Sequence, residues 1–536
     1  MSEPAAPTAA SLSIFGNLFA SVAEEMGVTL ERTAFSPNIK ERLDFSCALF
    51  LSDGQMLAQA AHIPVHLGAM PASVACAIER CSPFVPGDVV VLNDPYLGGN
   101  HLPDITMVSP VFVDGAAEPS FYVASRAHHA DVGGISPGSM PLSREIYQEG
   151  IIIPPIKIIA AGQRNQGVWD LILRNVRTPN ERAGDLTAQL AAHTIGSRRL
   201  LDIVARNGLA TTLAHGRELL AYAERLTRAA IARMPAGTFS FCDYLDNDGQ
   251  SAAPVPIQVA ITVAGDGMVV DFAGTAPAVA GNLNAVPAIV ESAVAYCVRC
   301  LALVLLEMEL PMNQGAFTPI EVRIPPGSLL DPDPPHAVAA GNVETSQRIV
   351  DAVFGALAEA LPEIVPAASQ GTMNNFTFGG LMTNAAGERQ PFVYYETNGG
   401  GLGAGATGPG GSGMHAHMSN TLNTPIEALE YNFPVRLLAY NLRRGSGGQG
   451  QHPGGDGLIR AVQFLAPVTA TIMSERRETQ PYGLKGGQPG ARGRNQLIRA
   501  GKATELPGKI TLPVEAGDTI QLETPGGGGW GQAQSD

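Results

Sequence analysis

Two apolar runs constrain this chain more than any other feature. "ITMVSPVFV" (105–113) and "PSFYVASRAH" (119–128) are rich in β-branched and aromatic residues, and Asp114-Gly115 with a few small residues separates them. They predict an antiparallel hairpin. Paired positions in a hairpin sum to a constant, here about 233, which sets Asp104 opposite His129 and His101 opposite Val132. "NHLPD" and "RAHHAD" are then expected at the same end of one sheet. Asp94, closing the preceding strand "GDVVVLND" (87–94), is placed to reach that end too.

That convergence gathers two to three imidazoles and two to three carboxylates. Imidazole nitrogen with carboxylate oxygen suits Zn²⁺, Mn²⁺ or Fe²⁺ better than Ca²⁺. Gly98, Gly99, Gly133 and Gly134 flank the segments and permit the kinks that convergence needs. A lone His beside an Asp more often braces a loop. Two histidines and two acids on one sheet end favour a metal site, although a β-bulge would shift the register by a residue. In "ERLDFSCALF" (41–50), Asp44 stands in an otherwise apolar strand, where a carboxylate is costly unless paired or metal-bound.

The rest of the chain reads as a mixed α/β (α+β), multi-domain protein. Antiparallel sheets, a central helical region and a glycine-rich, β-rich C-terminal part are expected. The boundaries fall at 11–230, 231–365 and 366–531. "SIFGNLFASVAEEMGV" (13–28) aligns Ile14, Phe15, Leu18, Phe19, Val22 and Met26 on one helical face. "CALFLSDGQMLAQA" (47–60) is a hairpin signal around Asp53-Gly54, and "GAMPASVACAIERC" (68–81) reads as a helix. Residues 180–233 are helical almost throughout; strands return at 238–273, and helices at 285–308 and 344–361.

Composition excludes several classes. The net charge of −15 lacks the basic surface that nucleic acid requires. The apolar helix at 285–308 is interrupted by Glu291 and Arg299, which argues against a membrane span. Six cysteines are too few for a disulfide scaffold, and "MSEPAAPTAASLS" has no basic flank before an apolar core. A reduced, cytoplasmic protein is expected. Cys297 and Cys300 form a CxxC with no second ligand pair nearby, so a structural role is expected. "YYETNGGGLGAGATG" (394–408) is followed by no GK[ST], so no phosphate-binding loop and no nucleotide site is expected. "HAHMSNTLNTPIE" (415–427) leaves two readings open. His415 and His417 belong to a substrate loop or second metal site, or the stretch is a turn in which Thr424, Pro425 and Glu427 start a helix.

"ERLDFSCALF", "IPVHLGAM", "NDPYLGGNHLPDIT", "RAHHADVGGISPGSMP", "NTPIE" and "TPGGGGWG" occur in this order, and together they resemble the hydantoinase B/oxoprolinase family over about residues 11–531. The resemblance implies the B-type subunit of an ATP-dependent cyclic amidase. An A-type ATPase partner with an actin-like fold would phosphorylate the amide oxygen of a hydantoin, 5-oxoproline or similar lactam. The two would form a hetero-oligomer of the α2β2 kind. This chain would then open the ring with water activated by one divalent ion, Zn, Mn or Fe. Carried over from the family, the metal ligands would be Asp44, His101, Asp104 and His128. Asp131, Asp94 and His129 would orient ligand rings or act as general base. An acetone-type ketone carboxylase subunit and a non-catalytic scaffold subunit are the competing readings.

Overall fold

The computed structural model describes residues 7–60, 63–383 and 387–533. Residues 1–6 of the N-terminal stretch "MSEPAAPTAASLS" lie outside them. The architecture is the expected mixture of helices and antiparallel sheets.

The sheet that positions the site has seven strands: β1 (Phe45–Leu51), β2 (Met56–Gln59), β3 (Val89–Leu92), β4 (Asp104–Val111), β5 (Phe121–His128), β6 (Ile156–Ala160) and β7 (Gln163–Arg164). Their order is β2-β1-β5-β4-β3-β6-β7, with every neighbouring pair antiparallel. The hairpins expected at 47–60 and 105–128 both form.

The register of the second hairpin differs from expectation by one residue. Asp104 pairs with His128, Ile105 with Ala127 and Val111 with Phe121, so the sum is one lower than predicted. A slip of one residue exchanges the two sheet faces. His128, not His129, therefore stands beside Asp104. The sequence offered no alternation to fix this, because β4 and β5 are buried on both faces along their whole length.

Helices Ala9–Thr33, Pro179–Asn207 and Leu209–Ile231 cover one face. Phe15, Phe19, Val22 and Met26 pack there with Phe45, Cys47, Leu49, Phe121 and Val123. Ile14, expected on that stripe, is 59% exposed. Helix Ala69–Cys81 covers the other face, with Met70 and Val74 against Ala48, Phe50, Val90, Val108 and Tyr122. Residues 44, 46, 48 and 50 thus face the Ala69–Cys81 helix, and the odd-numbered ones face the three long helices.

The apolar helix Pro287–Leu306 packs into the largest core cluster through Ile289, Val290, Val294, Cys297 and Leu301. Among the described residues it alone is long and apolar enough to cross a membrane, and most of it is buried in protein. Cys297 and Cys300 are free thiols. The same core includes Val91, Val259, Val350 and Met473, so it takes side chains from each of the three stretches read in the sequence.

Candidate metal centre

Three strands present their ends in one row. β5 contributes His128, β4 contributes Asp104 directly opposite it, and on the other side the His128 amide donates to the Asp44 carbonyl at 3.0 Å. Directly opposed residues share a sheet face. Asp44, His128 and Asp104 therefore face the same way. His101 reaches the row from the turn before β4, where Asp104 N donates to His101 O at 3.1 Å. His101 Nε2 lies 3.2 Å and His128 Nδ1 3.4 Å from Asp104 Oδ1. The two imidazole centroids are 5.0 Å apart. His101, Asp104 and His128 offer one donor atom each within 4.8 Å of one another, and all three are buried.

A residue not singled out in the sequence completes the surround. His66 Nε2 is 3.4 Å from Asp104 Oδ2, and its Nδ1 is 2.9 Å from Ser46 Oγ. Its signal lay in "IPVHLGAM", where a histidine sits in an apolar stretch. Only the fold brings that turn over the end of the sheet.

The environment suits a cation. Neither oxygen of Asp104 has a well-formed hydrogen bond among the described residues, nor has His66 Nε2 or His128 Nε2, although all are buried. Native proteins rarely leave such groups unsatisfied. Ligand atoms about 2.1 Å from a tetrahedral ion lie about 3.4 Å apart, close to the 3.2 and 3.4 Å that separate the two imidazole nitrogens from Asp104 Oδ1. His101 Nδ1 is 3.0 Å from the Ala339 carbonyl, so Nδ1 carries a proton and Nε2 turns toward Asp104. A lone pair on Nε2 and an anionic oxygen repel unless a proton or cation lies between them. Burial alone would raise the Asp104 pKa, but the surrounding imidazoles reverse this and hold it well below the usual carboxylate range. Burial opposes charge on His101, yet Asp104 outweighs it and raises that pKa. For His128 burial wins and the pKa falls. Tyr395 stacks on His128 at 4.6 Å and 12°, and the Arg42 guanidinium lies 4.7 Å from the Tyr395 ring centre.

Comparison with known proteins shows the family of the whole chain. The pattern of the hydantoinase B/oxoprolinase family matches residues 8–533. The chain belongs to the hydantoinase B/oxoprolinase family. It is 43% identical to 5-oxoprolinase 1 of Arabidopsis thaliana over 97% of its own length and 41% of that protein's. The chain thus spans about two-fifths of the 5-oxoprolinases it matches. It is 33% identical to the B-type subunit of a putative D-/L-hydantoinase of a Pseudomonas species, covering 95% of this chain and 88% of that one. The crystal structure of an ATP-dependent caprolactamase from Pseudomonas jessenii superposes with a TM-score of 0.89 at 27% identity, over 98% and 91% of the two chains.

The remaining residues expected at this family member's site lie around the trio or away from it. Asp44 shares the row, with its carboxylate 3.9 Å from Arg42 Nη1. Asp131 is fully committed elsewhere: Oδ1 accepts from Arg177 Nη1 at 2.8 Å and Oδ2 from Arg177 N at 2.7 Å. Asp94 accepts from Tyr96 N at 3.0 Å and caps a short turn at Pro95–Leu97; burial raises its pKa. His129 faces the long helices, 3.1 Å from Gln189 Oε1, where burial and the charge of Arg182 push its pKa down to about 4. None of these three joins the trio.

The two later motifs make local contacts of their own. His415 is held by Asn423 Oδ1 at 3.3 Å and Ser419 Oγ at 3.0 Å, and helix Ile426–Asn432 starts after Pro425 as anticipated. His417 lies 3.6 Å from Asp351 and 3.5 Å from the Tyr296 hydroxyl, beside a cavity of about 280 Å³. The glycine run after strand Arg389–Glu396 cradles backbone. A Cβ on Gly401 would fall 2.0 Å from Gly455 O and 2.2 Å from Gly527 N.

Proposed function

We propose that this chain is the ring-opening subunit of an ATP-dependent cyclic amidase acting on a hydantoin, 5-oxoproline or similar lactam. The observation that carries this reading is the buried His101–Asp104–His128 trio. Among the described residues, its carboxylate oxygens have no hydrogen-bond donor in good geometry. The names of the relatives, 5-oxoprolinase, D-/L-hydantoinase and caprolactamase, support the same substrate class.

His101, Asp104 and His128 would hold a divalent ion of Zn, Mn or Fe, with Asp44 as the fourth ligand and His66 braced against the free edge of Asp104. Such a cation brings the pKa of water to about 7, which makes a nucleophile available at neutral pH. The protein's own contribution is positional. Asp104 is kept ionised by the imidazoles, His101 keeps its proton on Nδ1, and Tyr395 fixes the plane of His128. The sheet end is enclosed by the Ala69–Cys81 helix side and the Tyr395 strand, which limits competing solvent. Asp131, Asp94 and His129 brace the surrounding loops through Arg177, Tyr96 and Gln189.

An unactivated lactam is a poor electrophile, so phosphorylation of its oxygen belongs to an A-type ATPase partner. The extra length of the 5-oxoprolinases, of which this chain matches 41%, is consistent with both activities residing in one polypeptide there. The test is reconstitution of the chain with an A-type ATPase subunit. Ring-opened product and ATP hydrolysis should appear together, without bicarbonate uptake. Bicarbonate consumption would assign ketone carboxylation instead. A pure chain without stoichiometric metal, in a complex that stays active with His101→Ala, would leave only a scaffold role.

A further inference from the structure

We infer that Glu149 is a positioning residue for the metal centre, acting on His101 through the backbone of Ala339; this rests on the reading of the trio as a metal site.

Glu149 is completely buried, and no Lys or Arg pairs with it among the described residues. A carboxyl in that setting is costly unless hydrogen bonds compensate. Three donors converge on Oε1: Val338 N and Ala339 N, both at 3.0 Å, and Ser143 Oγ at 2.7 Å. The other oxygen lies 3.3 Å from Val338 N. Ala339 is the residue whose carbonyl accepts from His101 Nδ1. One peptide segment therefore joins the two side chains. Its amide is gripped by Glu149, and its carbonyl fixes the proton on His101. Asn342, three residues on, approaches His101 Nε2 at 3.1 Å from the same segment.

The clamp is itself held rigidly. Glu149 O lies 2.6 Å from where a Cβ on Gly134 would stand, so the "VGG" following Asp131 packs directly on this turn. Burial pushes the Glu149 carboxyl up to about 7, against the pull of Ser143 and the two amides. The Ala339 N–H and C=O belong to adjacent peptide units, so Glu149 acts by position: holding the Val338 and Ala339 amides fixes where the Ala339 carbonyl points toward His101. The consequence is a defined tautomer: proton on Nδ1, lone pair on Nε2, aimed at Asp104. Losing the direct partner that orients a metal-binding imidazole typically costs 10–100-fold in metal affinity, and Glu149 holds that partner, the Ala339 carbonyl, in place.

The test is metal affinity of the full chain, measured with Zn²⁺ against a chelating dye and with Co²⁺ by its visible absorption. Glu149→Ala is expected to bind both ions about 10–100-fold more weakly and to shift the Co²⁺ spectrum, while thermal unfolding still shows a cooperative folded state. Glu149→Gln, which keeps the acceptor oxygen, should stay within about threefold of the parent. Should the alanine variant not fold, Glu149→Asp, whose carboxylate is drawn back by one methylene, should show the same weakening. A folded alanine or aspartate variant with parental affinity and spectrum overturns the inference, as does failure of every variant to fold, which would make Glu149 a folding residue. A parent chain that binds neither ion overturns the metal-centre reading itself.

Discussion

At the scale of single residues, Asp104 is the pivot. Its carboxylate lies within 3.4 Å of three imidazoles, His66, His101 and His128. Asp104→Asn is expected to reduce metal content to background while far-ultraviolet circular dichroism remains that of the parent. Unfolding of the variant with normal metal per folded molecule would make Asp104 structural. His193 offers a separate acid-sensitive contact. It lies between Ser109 Oγ and Ser125 Oγ at 2.7 and 2.9 Å, and burial drives its pKa down to about 3. Its folded value is below the ordinary 6.5, so it stabilises the fold above pH 6.5, and that contribution is lost as pH falls from 6.5 toward 3. His193→Gln should flatten the decline of unfolding free energy over that window. An unchanged slope would show that His193 takes up no proton on unfolding. Asp104 was legible because an acid between kinked glycines near a histidine is conspicuous. His66 was not, because one imidazole in an apolar stretch looks like any buried histidine.

At the scale of elements, the glycine segments decide how the C-terminal part holds together. Gly401, Gly454, Gly455 and Gly527 lie in backbone contact with one another's strands. A Cβ on Gly527 would come 2.0 Å from Leu402 O, and one on Gly454 2.0 Å from Gly527 O. There is no rotamer by which a methyl group avoids a carbonyl at that distance. Gly527→Ala is expected to cost more than about 4 kcal/mol, or to prevent folding. Gly115→Ala provides the contrast. Its φ is +79° and nothing lies within 4 Å, so only the left-handed backbone is strained, at about 1 kcal/mol. Chemical denaturation of the two variants separates the cases, and equal small losses would mean the glycine strands can move apart. The hairpin β4–β5 teaches the complementary lesson. Its existence was plain from two β-rich runs around Asp114-Gly115. Its register was not, since strands covered on both faces carry no alternation to choose between His128 and His129.

At the scale of the whole molecule, division of labour is the main expectation. The isolated chain should not open lactam rings even when ATP is supplied, because the proposed activation belongs to the A-type partner. Turnover by the pure chain, measured as ring-opened product, would overturn the two-subunit reading. The helix Pro287–Leu306 is a caution at the same scale. Its length and mean hydropathy would pass for a membrane span, but Glu291 and Arg299 spoke against one, and Cys297, Leu301 and their neighbours lie in the main core.

By itself the sequence determined the family, the antiparallel hairpins, the long helices and the acids and imidazoles worth watching. Those rest on local patterns: β-branched runs, helical periodicity and ordered motifs. Only tertiary structure decided which imidazole faces Asp104, that His66 closes over it, that Asp131 belongs to Arg177 and that Glu149 reaches His101 through Ala339. Each depends on contacts between segments distant in the chain, and side-chain direction there is set by register and packing, which no local pattern encodes.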